Sequence, residues 1–234
     1  LVWPYTEANG QMVNLDAADG FTAVSPVLSN GVGPYSGLFP AGLVRTDGNN
    51  IAPRVGVAWR AAPGTIVRAG YGVTYNSGSY ASIARQLVGQ PPFATTNTSA
   101  GSLLNPLSFD DPFALTSPTT TTNNYGIDRD YVLGLIQSWN VDLSRDLGPW
   151  NVGASYIGTK GSDLDLLRAP NRGASGLLLA GVQAFTWQAA EGRSILKAGS
   201  FRLRRRPVAG IGFGATYTLA KSMDNTTATG GAAT

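Results

Sequence analysis

Hydrophobic and polar residues alternate along several stretches of the chain, with the two-residue period of a half-buried β-strand. The clearest stretch begins at Arg54, after which Val55, Val57 and Trp59 alternate with small or basic residues. Residues 61–64 (Ala-Ala-Pro-Gly) have the composition of a tight turn. The alternation then resumes, with its apolar positions at Val67, Ala69, Tyr71, Val73 and Tyr75. This stretch predicts a β-hairpin.

Three further hairpins are predicted from the same kind of pattern, and the first of them is the weakest. They join residues 2–5 to 12–16, 135–144 to 150–157, and 195–205 to 211–219. Their turns are expected at residues 6–10, 146–149 and 206–208. Four consecutive hairpins predict about eight antiparallel strands.

The connections between these hairpins differ from those of a compact soluble domain. The short turns alternate with long segments at 18–50, 77–130 and 161–193, which are rich in Gly, Pro, Ser, Thr and Asn. Compact domains seldom contain unstructured loops longer than about 15 residues. Transmembrane β-barrels, in contrast, combine short periplasmic turns with long extracellular loops. The alternation therefore favours an all-β, up-and-down transmembrane barrel segment.

The aromatic residues fit the same orientation. Trp59 and Trp150 lie beside predicted short turns, and we expect them in the periplasmic aromatic girdle. Tyr75, Tyr131 and Tyr217 are expected at the far ends of their strands, in the outer girdle. The alternative is that these rings are ordinary core residues of a soluble sheet.

The residues between the apolar positions are small or polar, and they include Arg54, Arg60 and Arg68. An arginine at the bilayer midplane costs roughly 2–4 kcal/mol on the lipid side, whereas a polar barrel interior accepts it. We therefore expect the aromatic and aliphatic face to contact lipid and the arginine, glycine and threonine face to line the lumen.

Composition narrows the classes of function. Only 13% of the 234 residues are charged, and the chain contains 30 glycines, no cysteine and no histidine. The missing residue types exclude disulfides, thiolate metal sites and a Ser-His-Asp triad. No apolar run approaches the roughly 18 residues of a transmembrane helix. The net charge of +3 indicates a mildly basic surface and does not predict nucleic-acid binding.

Paired carboxylates in the long segments are the best candidates for acid–base chemistry or calcium binding. They are Asp110 with Asp111, Asp128 with Asp130, and Asp163 with Asp165. Asp163 and Asp165 lack the further oxygen ligands and the glycine of a calcium loop, and we expect these pairs to be solvated loop charges.

The basic cluster of Arg202, Arg204, Arg205 and Arg206 lies beside a predicted short turn. A phosphate or nucleic-acid patch is one interpretation. The favoured one places some of these residues at the periplasmic rim, near lipid headgroups.

Residues 79–88 carry apolar side chains at helical spacing, followed by Gly89 and by Pro91 and Pro92. They predict a short helix within the second long segment. Such a helix could line a ligand vestibule or pack the segment on itself.

Several segments resemble TonB-dependent receptors of the Oar-like type, which often carry an N-terminal carboxypeptidase-regulatory-like domain. Residues 49–60 (NNIAPRVGVAWR) followed by 67–72 (VRAGYG) resemble one hairpin of that family. Residues 137–141 (QSWNV) with 154–161 (ASYIGTKG) are similar to the next hairpin, and residues 215–224 (ATYTLAKSMD) to a later strand.

The resemblance covers most of residues 12–225, with the segments in the family's order. It implies an outer-membrane active transporter, with a 22-stranded barrel closed by a plug, a substrate site at the outer vestibule, and uptake driven by the TonB complex. The chain departs from that pattern because it shows no plug, no TonB-contacting box and no terminal aromatic residue. We therefore expect residues 1–234 to be an incomplete part of the barrel domain.

The expected function is outer-membrane transport of an unidentified ligand, such as a siderophore, a glycan or a peptide. The expected partners are outer-membrane lipid, that ligand, and the TonB complex through the missing N-terminal part. No catalytic, metal-binding or cofactor-binding residue is predicted, no enzyme activity is expected, and the ligand-binding residues are unknown. A small passive porin and a secreted β-sandwich adhesin or carbohydrate-binding module are the alternatives.

Overall fold

Six long antiparallel strands form the main sheet of the computed structural model, which describes residues 3–95, 106, 108–110, 121–174, 176–208 and 210–225. The elements in chain order are β1 (Val13–Ala17), a 3₁₀ turn (Asp19–Phe21), β2 (Val24–Leu28), β3 (Val32–Gly33), β4 (Gly37–Leu38), β5 (Arg54–Ala62), β6 (Thr65–Tyr75), α1 (Ser79–Val88), β7 (Tyr125–Ile127), β8 (Leu135–Leu147), β9 (Trp150–Arg168), β10 (Arg172–Gly173), β11 (Gly176–Leu177), β12 (Thr186–Val208) and β13 (Ile211–Asp224).

The main sheet has the strand order β5-β6-β8-β9-β12-β13, and each of these strands is antiparallel to its neighbours. The all-β, up-and-down hairpin architecture predicted from the alternation is confirmed. The sheet is open, with β5 at one edge and β13 at the other.

The sheet contains six of the predicted eight strands because the first predicted hairpin is not formed. Its second strand instead pairs with β2, in the register Val13 to Leu28 and Ala17 to Val24. This correction has a physical reason: Leu15 and its neighbour Asn14 are fully buried, a burial that a two-stranded hairpin alone could not provide. Residues 1–2 lie outside the described part of the chain.

Three tight turns close the hairpins of the main sheet. Gly64, Gly148 and Gly210 each adopt a positive φ, at 75°, 58° and 80°, which a residue with a side chain rarely adopts. The third turn lies later than predicted, because Arg206 and Pro207 are part of β12. The register shifts between Arg205 and Val208, as expected for a proline that lacks the N–H needed for regular pairing.

Two strands are much longer than a membrane crossing requires. β9 has 19 residues and β12 has 23, whereas a tilted transmembrane strand needs about 9–11. Much of the predicted long segment 161–193 is therefore strand, and residues 169–185 connect β9 to β12. The extensions of these two strands continue beyond the other hairpins and support the connecting segments.

The connecting segments fold together into one body, which we call the cap: residues 12–47, 76–95, 121–134, 163–174 and 176–190. Its core consists of the buried residues Met12, Val27, Phe39, Leu43, Val44, Tyr80, Ile83, Leu87, Tyr125, Ile127, Tyr131 and Leu133. Helix α1 confirms the prediction for residues 79–88, and its buried side chains join this core. No helix in the described part of the chain is long and apolar enough to cross a membrane.

The short strand β7 lies at the centre of the cap and is buried on both faces. It pairs in parallel with the start of β12, with Tyr125 opposite Thr186. Tyr125 and Ile127 face the main cap core, whereas a Cβ on Gly126 would lie only 2.9 Å from Leu15 and from the ring of Trp187. Those two residues belong to a second apolar cluster around Leu15, so β7 separates two packed layers.

Candidate functional site

The register of the main sheet separates its side chains into two faces, because residues paired directly across strands point to the same side. One row contains Val57, Ala69, Val141, Tyr156, Gly199 and Leu219. The adjacent row contains Ala58, Arg68, Asp142, Ser155, Ser200 and Thr218. We call the first the apolar face and the second the polar face, and the predicted two-faced pattern continues in step across all six strands.

The apolar face is broadly exposed. Val57 is 61% exposed at the β5 edge, and Val141 is 46% exposed in the interior of the sheet. Soluble monomers rarely expose an apolar surface that extends across six strands. Trp59 and Trp150 lie beside hairpin turns on this face, at the positions predicted for the periplasmic girdle.

The outer aromatic residues differ from the prediction. Tyr131 is buried in the cap core, and Tyr75 packs against that core. The outer rings on the apolar face are Tyr71 and Trp139, which pair directly across β6 and β8, together with the predicted Tyr217 on β13. The difference has a simple cause. The cap covers the strand ends that lie away from the tight hairpin turns, so residues there pack against protein.

Arg68, Asp142 and Arg202 form a charged group at the middle of the polar face. The two carboxylate oxygens of Asp142 contact the guanidinium of Arg68 at 3.5 Å and that of Arg202 at 3.4 Å. Arg202 reaches Asp142 by lying over Gly153, where a Cβ would be 3.3 Å from its Nη2. The pairing neutralises one of the two arginines and leaves excess positive charge on this face.

The basic cluster near the last turn divides between the two faces. Arg202 and Arg204 lie on the polar face, close to the turn-side end of β12. Arg205 lies on the apolar face with its guanidinium 5.7 Å from the Trp150 ring centre. Arg206 binds Asp146 at 3.3 Å beside the neighbouring turn. The last two agree with the predicted position at the rim.

Two concavities lie along the polar face beside these arginines. One, of about 230 Å³, is lined by Gly153, Ser155, Ser200, Arg202 and Thr216. The other, of about 300 Å³, lies closer to the last turn, next to Arg204 and Gly214. Both surfaces include hydroxyl or guanidinium groups, which can bind anionic or hydroxylated groups by hydrogen bonding.

A buried hydrogen-bond network in the cap centres on Asp165. Its carboxylate accepts hydrogen bonds from the Tyr131 hydroxyl at 2.5 Å, from Ser79 at 2.8 Å and from the Gln188 amide at 2.9 Å. Gln188 in turn accepts a hydrogen bond from the Tyr125 hydroxyl at 2.6 Å. The prediction of a solvated loop charge is therefore wrong for Asp165, which joins α1, β7 and β12 to β9.

The environment of this network alters two tyrosines. Burial raises the pKa of Tyr125 well above its usual value, and the negative charge of Asp165 adds to the effect. Burial also raises the pKa of Tyr131, whose hydroxyl donates a hydrogen bond to Asp165. Both tyrosines therefore stay neutral across the physiological range, and their role in the cap is to donate hydrogen bonds.

Other buried polar residues perform similar structural tasks that the sequence did not indicate. The side-chain amide of Asn14 takes the place of a neighbouring strand beside β7. Its nitrogen donates to the Ile127 carbonyl, and its oxygen accepts the Ile127 N–H. Gln90 bridges the Val13 carbonyl and the Tyr125 N–H. In the sequence these residues are indistinguishable from solvated loop residues, because their partners are distant along the chain.

The other paired carboxylates do not form a ligand cluster in the part of the chain that the structure describes. Asp130 binds Arg45 and Arg129, at 2.6 Å and 3.2 Å, and Asp128 accepts the backbone N–H of Asp130. Asp163 is exposed, whereas Asp111 lies outside the described residues. Among the residues that the structure describes, no group of three or more acidic side chains could hold a metal ion.

A comparison with protein families supports the architecture. A family model described as an outer membrane beta barrel domain matches residues 1–234, the whole chain. No curated protein sequence matches the chain significantly. The secreted β-sandwich alternative is not supported, since the six long strands form one sheet rather than two facing ones. An exposed apolar face, a charged polar face and the family match lead to the same conclusion: the chain belongs to the outer membrane beta barrel domain family and is an outer-membrane protein.

Proposed function

We propose that the chain forms part of the wall and outer vestibule of a TonB-dependent transporter. The observation that carries this proposal is the combination, in one sheet, of a charged polar face and a folded cap at one end. The polar face would line the transport path, and the cap would form the entrance. The ligand, the outer-membrane lipid and the TonB complex are the proposed partners, and we propose no enzymatic role.

The open edges of the sheet support a barrel of more than six strands. In the described residues, β5 and β13 each pair on one side only. Unpaired backbone groups are not tolerated in contact with hydrocarbon, so both edges must be paired in the membrane. Bacterial transmembrane barrels have at least about eight strands, which argues against closure of these six on themselves.

The small residues of the polar face support a wide lumen. The interior of an eight-stranded barrel is filled by its own side chains. Here the polar face carries many glycines, which leave space instead of filling it: Gly56, Gly70, Gly72, Gly153, Gly212 and Gly214. A wider barrel would accommodate both a plug and a substrate.

The cap supports a receptor role because it is a folded body with its own core. Passive pores need only irregular loops at the entrance, whereas specific binding requires side chains held in place. The Asp165 network and α1 provide such rigidity. The buried hydroxyls and the carboxylate of this network are engaged with one another, which favours a structural role for them over a catalytic one.

The proposal is tested by growth of the source bacterium on separate panels of ferric siderophores, oligosaccharides and peptides. On one of the three panels, we expect a strain that lacks the gene to stop growing. A strain with an inactivated TonB complex should fail to grow on the same panel. Growth lost only on gene deletion, with no effect of TonB inactivation, would contradict active transport.

Conductance separates the transporter from a passive porin. The full-length protein inserted into planar bilayers in potassium chloride is expected to show no steady open-channel current, because a plug would close the lumen. A stable current from the intact protein would favour the porin alternative. A protein with its N-terminal region removed is the matched control and is expected to conduct.

A further inference from the structure

The polar face is basic in the half that adjoins the hairpin turns. From the row of Arg68 down to the turns, the described strands carry two acidic residues and five arginines on this face: Asp142, Asp146, Arg60, Arg68, Arg202, Arg204 and Arg206. The carboxylates leave three positive charges unbalanced. A surface with an excess of one sign concentrates ions of the opposite sign, so this half of the face attracts anions.

Arg204 is the free arginine closest to the two concavities of the polar face. It lies between Asn151 on β9 and Gly214 on β13. The carboxylate in the same row, that of Asp146, is already bound by the Asn151 amide at 2.9 Å and by Arg206 at 3.3 Å. Among the residues that the structure describes, Arg204 forms no ion pair. Its guanidinium is therefore available to an anionic ligand.

Arg202 is only partly neutralised. It contacts Asp142 at 3.4 Å, and Asp142 also contacts Arg68 at 3.5 Å. Both distances exceed the roughly 2.7–2.9 Å of a short charge-assisted hydrogen bond. The Arg202 side chain is 52% exposed. It can therefore accept a second anion without first losing a strong partner.

The two arginines face one continuous groove. The concavities of about 230 Å³ and 300 Å³ share Arg202 and Thr216 in their linings. Each arginine has a glycine as its direct neighbour across a strand, Gly153 beside Arg202 and Gly214 beside Arg204, which leaves space for a ligand. Residues two positions apart on a strand lie about 7 Å from each other on the same face. The groove therefore matches a ligand with two acidic groups at about that spacing.

Hydroxyl groups determine what else the ligand carries. Ser155, Ser200 and Thr216 line the groove beside Arg202. A hydroxyl both donates and accepts hydrogen bonds, which suits the hydroxyls of a sugar. Beside the groove, the polar face of the described strands β9, β12 and β13 carries no aromatic ring on which a sugar could stack. Charge must therefore supply most of the affinity, which disfavours a neutral sugar.

We infer that Arg202 and Arg204, with the hydroxyls beside them, form a binding site for an acidic oligosaccharide whose sugar rings carry carboxylates. Two carboxylates would bind the two guanidinium groups, and sugar hydroxyls would bind Ser155, Ser200 and Thr216. The inference rests on the proposed transport function and names its substrate class. The site lies near the turn-side end of the strands, so it would hold the substrate after passage through the cap.

The test is calorimetric binding to the purified full-length protein in detergent. The probe is the trisaccharide of galacturonic acid, and the matched ligand is the same trisaccharide with its carboxylates reduced to alcohols. We expect the acidic form to bind at least about tenfold more tightly than the neutral form, because only the acidic form makes charge-assisted hydrogen bonds. Its affinity should fall as the salt concentration rises.

Substitutions locate the site. Arg204→Gln should weaken binding of the acidic trisaccharide by about tenfold, and the double variant with Arg202→Gln by on the order of a hundredfold. Arg60→Gln is the matched control, because Arg60 lies in the same row of the polar face as Arg202. It is four strand spacings away, about 19 Å along the sheet, and its loss should leave binding unchanged.

Equal binding of the acidic and neutral trisaccharides by the wild type would overturn the inference even if the arginine variants failed to fold. An equal loss of affinity in Arg60→Gln would also overturn it, since that result would indicate general attraction by the basic face. Displacement of the trisaccharide by an equal concentration of triglutamate would overturn it in favour of an acidic peptide.

The binding measurement does not require the TonB complex, so the two proposals fail separately. Binding that depends on Arg202 and Arg204, without any TonB-dependent growth, would support the site and contradict active transport. TonB-dependent growth together with no binding of the acidic trisaccharide would support transport and overturn the inferred site.

Discussion

The indole ring of Trp139 lies over the backbone of Gly158, its direct partner across β8 and β9. A Cβ at residue 158 would overlap the ring atoms of Trp139, so the glycine is required by the packing of this pair. An aromatic ring over a cross-strand glycine covers exposed backbone and fixes the register of the two strands. This pair therefore holds β8 and β9 in the register that places their apolar residues on one side of the sheet and their polar residues on the other.

Gly158→Ala is predicted to destabilise the folded protein by about 1–3 kcal/mol, because the indole must leave its position. Gly199→Ala is the matched control: it lies on the same apolar face, and a Cβ there would meet no atom within 4 Å. Its effect should stay within about 0.5 kcal/mol. Urea unfolding from lipid vesicles measures both. Equal stabilities for the two variants would show that the Trp139 contact does not constrain residue 158.

Arginine substitutions should separate the two faces. Val57→Arg and Val141→Arg place a charge against hydrocarbon and should cost roughly 2–4 kcal/mol, enough to impair assembly. Thr74→Arg and Thr218→Arg place the same side chain on the polar face and should be tolerated. Folding yield in lipid vesicles is the measurement. Similar yields for all four variants would contradict the assignment of the apolar face to lipid.

Asp165→Ala is predicted to loosen the cap while the main sheet stays folded. The substitution leaves the Tyr131 hydroxyl, the Ser79 hydroxyl and the Gln188 amide without their acceptor. Each unsatisfied buried group costs about 1–3 kcal/mol. Hydrogen exchange should therefore accelerate in α1 and β7 but not in the β8–β9 hairpin. Asp163→Asn is the control and should change neither region, because this exposed residue has a positive φ of 54°, which asparagine also adopts.

Alkaline pH should destabilise the cap through its buried tyrosines. In the folded protein the pKa values of Tyr125 and Tyr131 lie above the usual value of 10.0. Above that pH the unfolded state releases protons that the folded state retains, so stability falls as pH rises. The two together contribute up to about 2.7 kcal/mol per pH unit. Thermal unfolding followed by near-ultraviolet circular dichroism measures this slope.

The phenylalanine variants identify the groups responsible for the alkaline slope. Tyr131→Phe should reduce it, because one of the three cap tyrosines with a raised pKa is removed. Tyr217→Phe is the control, since that ring is exposed on the apolar face. A slope that is unchanged in Tyr131→Phe would assign the alkaline effect to other groups.

The sequence by itself determined the fold class, the two faces of each strand and the positions of two turns. These features depend on neighbouring residues: the alternation around Val57 and Val141 follows from the two-residue repeat of a strand, and Pro-Gly pairs restrict the backbone locally. The short helix over Ser79–Val88 was predictable for the same reason, since its apolar spacing and its terminating glycine and prolines are all local signals.

Only the tertiary structure decided which strands pair and what the polar residues of the long segments do. The segment around Leu15 became a buried cap strand rather than half of a membrane hairpin, because its partners lie in β2 and, through Asn14, in β7. Asp165 and Tyr131 became an internal hydrogen-bonded pair although they are 34 positions apart in the chain. Contacts between distant residues depend on how the whole chain packs, and no local pattern of hydrophobicity specifies them.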